Sequence, residues 1–291
     1  MIMTEPICAV CSTPMHQQWD DWCFRCATCG TWASTLPVLI NSDAAHRALD
    51  EDLRDIGLAT LRRQNLAIVV QQLVDSGVSP PARLLDVGSA HGWFLRAASE
   101  RGFDAEGVEP DEAVAARSDA GRVRVGFFPG ALAEDEQFDA ITYNDVLEHL
   151  PDVDAMVAAS VRHLRPGGLL SINIPDSGGM IFWVARVLRR IGMRSAFDRL
   201  WQVGLPSPHL WYFDRRGLVR LGERHGLEPV YSGSLDSVSR VGLWQRVHSD
   251  RRPSVTSVAG FALAWLAAPI LNAGRASDIM HVVFRRRHDA A

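Results

Sequence analysis

The chain has 291 residues, 47% of them hydrophobic and 22% charged, which is ordinary globular usage with ample material for a core. Its formal net charge of −4 excludes an overall basic field of the kind that draws nucleic acid. All 30 basic residues are Arg, a compositional bias to which no function is attached.

The first stretch, MIMTEPICAVC, lacks the basic start and apolar core of a secretory signal, so a cytoplasmic location is expected. All five cysteines lie within the first 29 residues, and in a cytosolic chain such clustering favours metal over disulfides. Cys8-x2-Cys11 and Cys26-x2-Cys29 can each present two thiolates from one tight turn. Together they make a closed tetrahedral site for a structural Zn2+. The pair Cys23-x2-Cys26 competes for register. Gly30 favours Cys26 with Cys29, because a glycine there lets the backbone fold back and donate N–H groups to sulfur. Cys23 is then a spare thiol. Residues 1–40 are expected to form a zinc-ribbon-like module, since so short a segment needs a staple to fold. With one Arg against three acids, it is a poor reader of nucleic acid.

Residues 41–80 read as a helical extension. From Asp43 to Asp75, apolar residues such as Leu58, Leu61, Leu66, Val69, Val70 and Leu73 recur at mixed three-and-four spacing, until Gly77, Pro80 and Pro81 break the helix. In residues 81–291, strands are predicted over 83–88, 105–109, 123–127, 138–143, 168–174, 228–234 and 279–286. Helices are predicted near 92–101, 111–117, 152–164 and 215–226. This alternation predicts an α/β fold with a doubly wound parallel sheet, whose ligands sit outside the carboxyl ends of the strands.

The first of these strands runs into Gly88-Ser89-Ala90-His91-Gly92-Trp93. The glycines let a ligand approach the backbone, and the following helix offers N–H donors. A dinucleotide fingerprint would place glycine at 90 and 93, where this chain has Ala and a bulky Trp. Glu109, ending the next strand, suits the two hydroxyls of a ribose.

Four blocks then converge: "LLDVGSAHGWFL", "GVEPD", "FDAITYNDVLEHL" and "LRPGGLLSINIPD". With "HLWYFDRRGLVRLGERHGLEPV" further on, the chain resembles the class I S-adenosylmethionine-dependent methyltransferases, in the small-molecule branch that includes quinone-biosynthesis enzymes. The resemblance covers roughly residues 60–286 and implies a Rossmann-like seven-stranded methyltransferase sheet, carrying here a small N-terminal zinc ribbon. It implies that Asp86, Gly88, Ser89, Ala90 and Gly92 cradle the methionine part of S-adenosylmethionine and that Glu109 binds its ribose. It also implies that Leu132 packs the adenine and that Asn144 and Asp145 lie beside the sulfonium. The resemblance also implies an acid near the adenine amine, where this chain offers Glu134 or Asp135. Ala90 departs from the usual glycine, and is tolerable there if its φ is negative.

Methyl transfer from a sulfonium is an in-line displacement that depends chiefly on positioning, and an oxygen acceptor gains further from loss of its proton. His149, in "DVLEHL", is the candidate base, set against a structural or cofactor-contacting role. His209, in "SPHLWYF", is expected to position substrate. His91 is expected to face solvent or the cofactor carboxylate.

Two apolar inserts follow. In the lid-like insert 178–210, Ile181, Val184, Val187, Leu188 and Ile191 share one helical face while Arg186, Arg189, Arg190 and Arg194 lie elsewhere. That pattern suits a lid over the substrate cavity, a helix lying on an anionic membrane surface, or both. The insert 253–274 carries no charge. A bilayer crossing there would put the last strand on the wrong side of the membrane, so a buried or interfacial helical hairpin is expected instead. Two apolar inserts point to a small-molecule or lipid-linked acceptor, with peripheral membrane contact possible and a sugar or polar metabolite still open. The competing readings are an RNA methyltransferase, a non-catalytic binding module that retains the fold, and an NAD-dependent oxidoreductase, which Trp93 disfavours. The sequence does not specify an oligomeric state.

Overall fold

The computed structural model describes residues 5–39, 51–118, 120, 122–248, 254–272 and 277–288. Positions 41–50 of the expected extension, and 253, 273 and 274 of the second insert, lie outside these residues, as does the side chain of Leu58. Strands β1 (His16–Gln17), β2 (Cys23–Arg25) and β3 (Trp32–Ser34) form the N-terminal module. Helix α1 spans Glu51–Asp75. Then come β4 (Arg83–Val87), α2 (Trp93–Glu100), β5 (Asp104–Glu109), α3 (Glu112–Ala115), β6 (Arg122–Val125), β7 (Phe138–Asn144) and α4 (Val153–His163). The chain continues with β8 (Leu164–Pro175), α5 (Met180–Arg190), α6 (Ser195–Leu200), β9 (Trp211–Tyr212), α7 (Arg215–Arg224) and β10 (Leu227–Leu235). It closes with α8 (Leu243–His248), α9 (Val255–Leu271) and β11 (Ile279–Arg286).

The main sheet has seven strands in the order β10-β11-β8-β7-β4-β5-β6. Strands β4 to β8 run parallel, while β11 pairs antiparallel with both β8 and β10. The chain winds from β4 outward to β6, then returns to β7 on the other side of β4. The sheet therefore divides between β4 and β7, where doubly wound folds open a crevice at the carboxyl ends of their strands. Central strands are apolar on both faces, as sandwiching helices require: Leu84, Leu85, Ala140, Ile141, Leu170 and Ile172 are all buried. Asp111, Asp152 and Asp214 cap the N-termini of α3, α4 and α7 through their side chains.

The N-terminal module is built into this body. Its sheet is completed by β9, with Trp32 opposite Tyr212 and Ala33 opposite Trp211. Cys8, Val10, Met15 and Phe24 share one continuous core with Leu210, Trp211, Phe213, Leu218 and Leu221. On its other side Trp19, Trp22 and Trp32 pack against Phe182 and Phe197, while Arg189 of α5 donates to Asp20 at 2.9 Å. The four cysteines expected to hold metal come together: Cys8 and Cys29 sulfurs are 3.4 Å apart, as are those of Cys11 and Cys26. Cys23 lies fully buried against Trp32 instead.

Both inserts depart from expectation in detail. The α5 face that turns inward is Phe182 and Ala185, because the tryptophans of the module offer an aromatic socket. Val184 and Ile191, two members of the shared apolar face, are exposed. The second insert is not a hairpin in itself: residues 255–271 form one helix, α9, with Pro269 inside it, and the hairpin partner is the preceding α8. Among the described residues no helix is long and apolar enough to cross a membrane.

Candidate functional site

At the sheet's division, the loop after β4 and the end of β7 line one cleft, open to solvent. The loop supplies Gly88, Ser89, Ala90 and His91, β4 supplies Asp86, and β7 with its following residue supplies Asn144 and Asp145. The residue type at 88 is dictated locally. Its φ of +71° belongs to the left-handed region, and a Cβ there would sit 2.7 Å from Val146 Cγ2.

Ala90 also has a positive φ, +44°, so the condition under which alanine is tolerated without strain is not met. A left-handed alanine costs roughly 1–2 kcal/mol, and a specific contact offsets it. The Ala90 N–H donates to Glu109 Oε2 at 3.0 Å, while the Asp111 N–H donates to Glu109 Oε1 at 3.0 Å. Glu109 thus ties the loop to the end of β5, with a lone pair on each oxygen left for a ligand. Burial pushes its pKa above the usual carboxylate range. The Ser89 hydroxyl is buried without a hydrogen-bond partner, packed against Gly107 of β5.

A ladder of polar side chains crosses the cleft floor. Asn173 Nδ2 donates to Asn144 Oδ1 at 2.6 Å, and Asn144 Nδ2 to Asp86 Oδ1 at 2.7 Å. Thr142 Oγ1 donates to the same Asp86 oxygen at 2.7 Å. Burial raises the Asp86 pKa to about 7, against the pull of these donors and with help from the charge on Glu109. The unfolded chain releases this proton near 3.8. Between those pH values the folded state holds more proton than the unfolded one, so stability falls as pH rises and levels off above 7. Asp86→Asn removes the ionisation. It is expected to stabilise the protein at pH 8 relative to pH 5 by about 2.5 kcal/mol compared with wild type, since only the roughly two pH units between pH 5 and the folded value of about 7 fall in that window. Melting temperatures at the two pH values check this, and parallel curves for the two proteins would refute it.

Sequence reasoning missed several wall residues. Arg62, Asn65 and Leu66 of α1 line the cleft, with Arg62 stacked 5.7 Å over the Trp93 ring and 3.9 Å from Asp145. Asn173 was visible in principle, being a lone amide at the end of an apolar strand. Glu109 and Leu132 are not among the residues lining this cleft: Glu109, nearly buried at the end of β5, is joined to it through the Ala90 N–H, and Leu132 packs partly buried against the core. Glu134 and Asp135 are exposed. The neighbouring Glu136 joins Glu106 in an ion-pair network with Arg83 and Arg124.

Beyond the rim, Glu148, His149 and His209 converge, with the two imidazole centroids 4.7 Å apart. His149 Nδ1 lies 2.9 Å from the Pro208 carbonyl oxygen, which only accepts, so Nδ1 carries the proton and Nε2 the lone pair. The Tyr212 hydroxyl donates to the Leu200 carbonyl at 2.8 Å and accepts from His209 Nδ1 at 2.8 Å. His209 Nε2 accepts from Gln202 at 2.9 Å. His209 is thereby fixed in place. Glu148 is fully buried, and burial together with the charge on Asp145 lifts its pKa well above the usual range. Both of its oxygens lack hydrogen-bond partners.

The profile of the methyltransferase-domain family matches residues 58–232. The chain belongs to that family. Among its relatives, the ubiquinone biosynthesis O-methyltransferase of Pseudomonas entomophila is 34% identical over 95 residues, 30% of this chain and 41% of the relative. That of Pseudomonas putida strain W619 is 35% identical over the same length. The match thus spans less than half of these relatives. Two solved structures share the methyltransferase fold. One is a chain of the complex between the Haloferax volcanii Trm112 methyltransferase activator and a methyltransferase, with TM-score 0.57 and 13% identity, covering 86% of this chain and all of that one. The other is the magnesium protoporphyrin IX methyltransferase of Synechocystis PCC 6803 with bound S-adenosylhomocysteine, with TM-score 0.52 and 12% identity, covering 79% and 85%.

Proposed function

We propose that this chain transfers a methyl group from S-adenosylmethionine to an oxygen of an apolar small-molecule or lipid-linked acceptor. The observation that carries the reading is the Asp86–Gly92 loop, bent by left-handed residues at 88, 90 and 92 and tied by the Ala90 N–H to Glu109. This arrangement suits a ligand with a ribose at one end and an amino-acid group at the other. The lone pairs of Glu109 are available to ribose hydroxyls. The Arg62 guanidinium suits a carboxylate, and Asp86 and Asp145 suit an amine. When bound, S-adenosylmethionine supplies an electrophilic methyl group. Oxygen as the atom methylated is favoured by the relatives' named activity.

In this reading His149 Nε2 accepts the acceptor's proton, with its tautomer set by the Pro208 carbonyl, and His209 holds the wall beside it. The four N-terminal cysteines are read as a structural Zn2+ site. Tetrahedral Zn–S bonds of about 2.3 Å require sulfurs roughly 3.8 Å apart, and the spacings of 3.4 to 3.7 Å are close to that. Residues 1–40, 41–80 and 81–291 are read as ribbon, helical extension and catalytic domain. Calorimetric titration with S-adenosylmethionine and S-adenosylhomocysteine, with NADH as control, tests the function. Binding of the first two and not the third is expected, and no binding by folded protein would overturn it. Once an acceptor is found, His149→Ala is expected to lower kcat by roughly 10²–10⁴ while leaving S-adenosylhomocysteine affinity unchanged.

A further inference from the structure

The two inserts share an edge of the molecule. The first leaves the carboxyl end of β8 at Pro175. The second leaves β10 at Leu235 and re-enters β11 at Ile279, and the register places Ile279 opposite both Pro175 and Leu235. Both inserts therefore rise from the rim on which the cleft opens. They also touch: Ile181 of α5 packs into the cluster formed by Val238 ahead of α8, Leu243 of α8 and Ala268 of α9.

This rim is unusually apolar on its outside. Among the described residues, twenty large hydrophobic side chains are exposed, and fourteen of them lie within 180–203 and 241–270. On α5, Met180, Trp183, Val184 and Ile191 follow the spacing of a single helical stripe, and that stripe faces outward with exposures of 37–67%. On α9, Leu263, Leu266 and Ile270 are 63–68% exposed. Concentrated exposed apolar surface marks a contact with lipid or protein.

The charge around it selects the partner. Residues 180–203 contain five Arg and one Asp, a surplus of four positive charges in a chain of net charge −4. Part of that surplus is used internally, since Arg189 and Arg194 share Asp20. Arg240 lies along α9, 4.3 Å over the Trp265 ring and donating to the Trp265 carbonyl. Tryptophan beside arginine at the border of an apolar surface is the composition of a helix seated at a lipid headgroup layer. A helix of 17 residues is about 25 Å long, short of the roughly 30 Å hydrocarbon core, so α9 suits lying in one leaflet.

We propose that α5 and the α8–α9 hairpin form a single docking surface for an anionic lipid bilayer, which presents the cleft rim to an acceptor dissolved in that bilayer. The proposal rests on the reading above only for the nature of the acceptor, because lipid binding itself requires no methyl transfer. The test is flotation of the full-length protein with phosphatidylcholine vesicles, with and without phosphatidylglycerol, run beside sedimentation velocity without lipid. The protein is expected to float with the anionic vesicles, less so as salt is raised. The double variant Leu263→Asp/Leu266→Asp is expected to lose roughly tenfold in vesicle affinity, with its S-adenosylhomocysteine affinity unchanged. Three results would overturn the surface: no flotation of wild type, flotation equal in the variant, or a wild-type dimer that the variant dissociates and that shows no vesicle binding. Cofactor affinity read on the same samples separates failure of this surface from failure of the methyltransferase reading.

Discussion

Glu109→Ala is expected to weaken S-adenosylhomocysteine binding by roughly two orders of magnitude. Hydrogen bonds to a charged group contribute about 1.5–3 kcal/mol each, and a ribose offers two hydroxyls to one carboxylate. The same carboxylate accepts the N–H groups of Ala90 and Asp111, so its removal also releases the loop. Glu109→Gln keeps one acceptor oxygen and can hold only part of this network, so its loss is expected to be intermediate. Calorimetry on both variants checks the order, with melting temperature confirming that each is folded. Wild-type affinity in Glu109→Ala would remove this residue from the site.

The second large effect concerns the cysteines. The purified chain is expected to carry one equivalent of zinc, lost in Cys26→Ser and retained in Cys23→Ala. Losing a structural metal falls in the severe class of changes, on the order of 4 kcal/mol or more, which lowers the melting temperature by about 10 °C in a chain of this size. The effect should reach the acceptor side. Strand β3 of the ribbon pairs with β9, and the Ser34 hydroxyl donates to the His209 carbonyl at 2.7 Å. Ribbon and catalytic body also share one core. Chelation should therefore disturb His209 and Trp211 together with the ribbon, read as a change in tryptophan fluorescence. Elemental analysis showing no zinc in folded protein would overturn the metal assignment.

Much of the fold was legible because it rests on short-range patterns. Continuous apolar runs such as Leu84–Leu85 and Leu169–Leu170, punctuated by glycine and proline, mark buried parallel strands whatever surrounds them. The cysteine spacing likewise specifies its own geometry, and Gly30, with φ of +80°, occupies the left-handed turn expected beside Cys29. Asp86, Gly88 and Asn144 could be found because they end strands at the sheet's division.

Other features depended on packing partners distant in the chain. Arg62 and Asn65 sit in a helix with no local mark of function, and reach the cleft only because α1 lies across the loop after β4. Ala90 takes a left-handed conformation because a carboxylate nineteen residues away receives its N–H. The outward stripe of α5 reads in sequence as an ordinary core face. Three ribbon tryptophans, more than 140 residues earlier, select Phe182 and Ala185 for burial instead. Periodicity records which residues share a face, a local property of the helix. Which face is buried depends on what the rest of the chain sets against it, and that was decided by the tertiary structure alone.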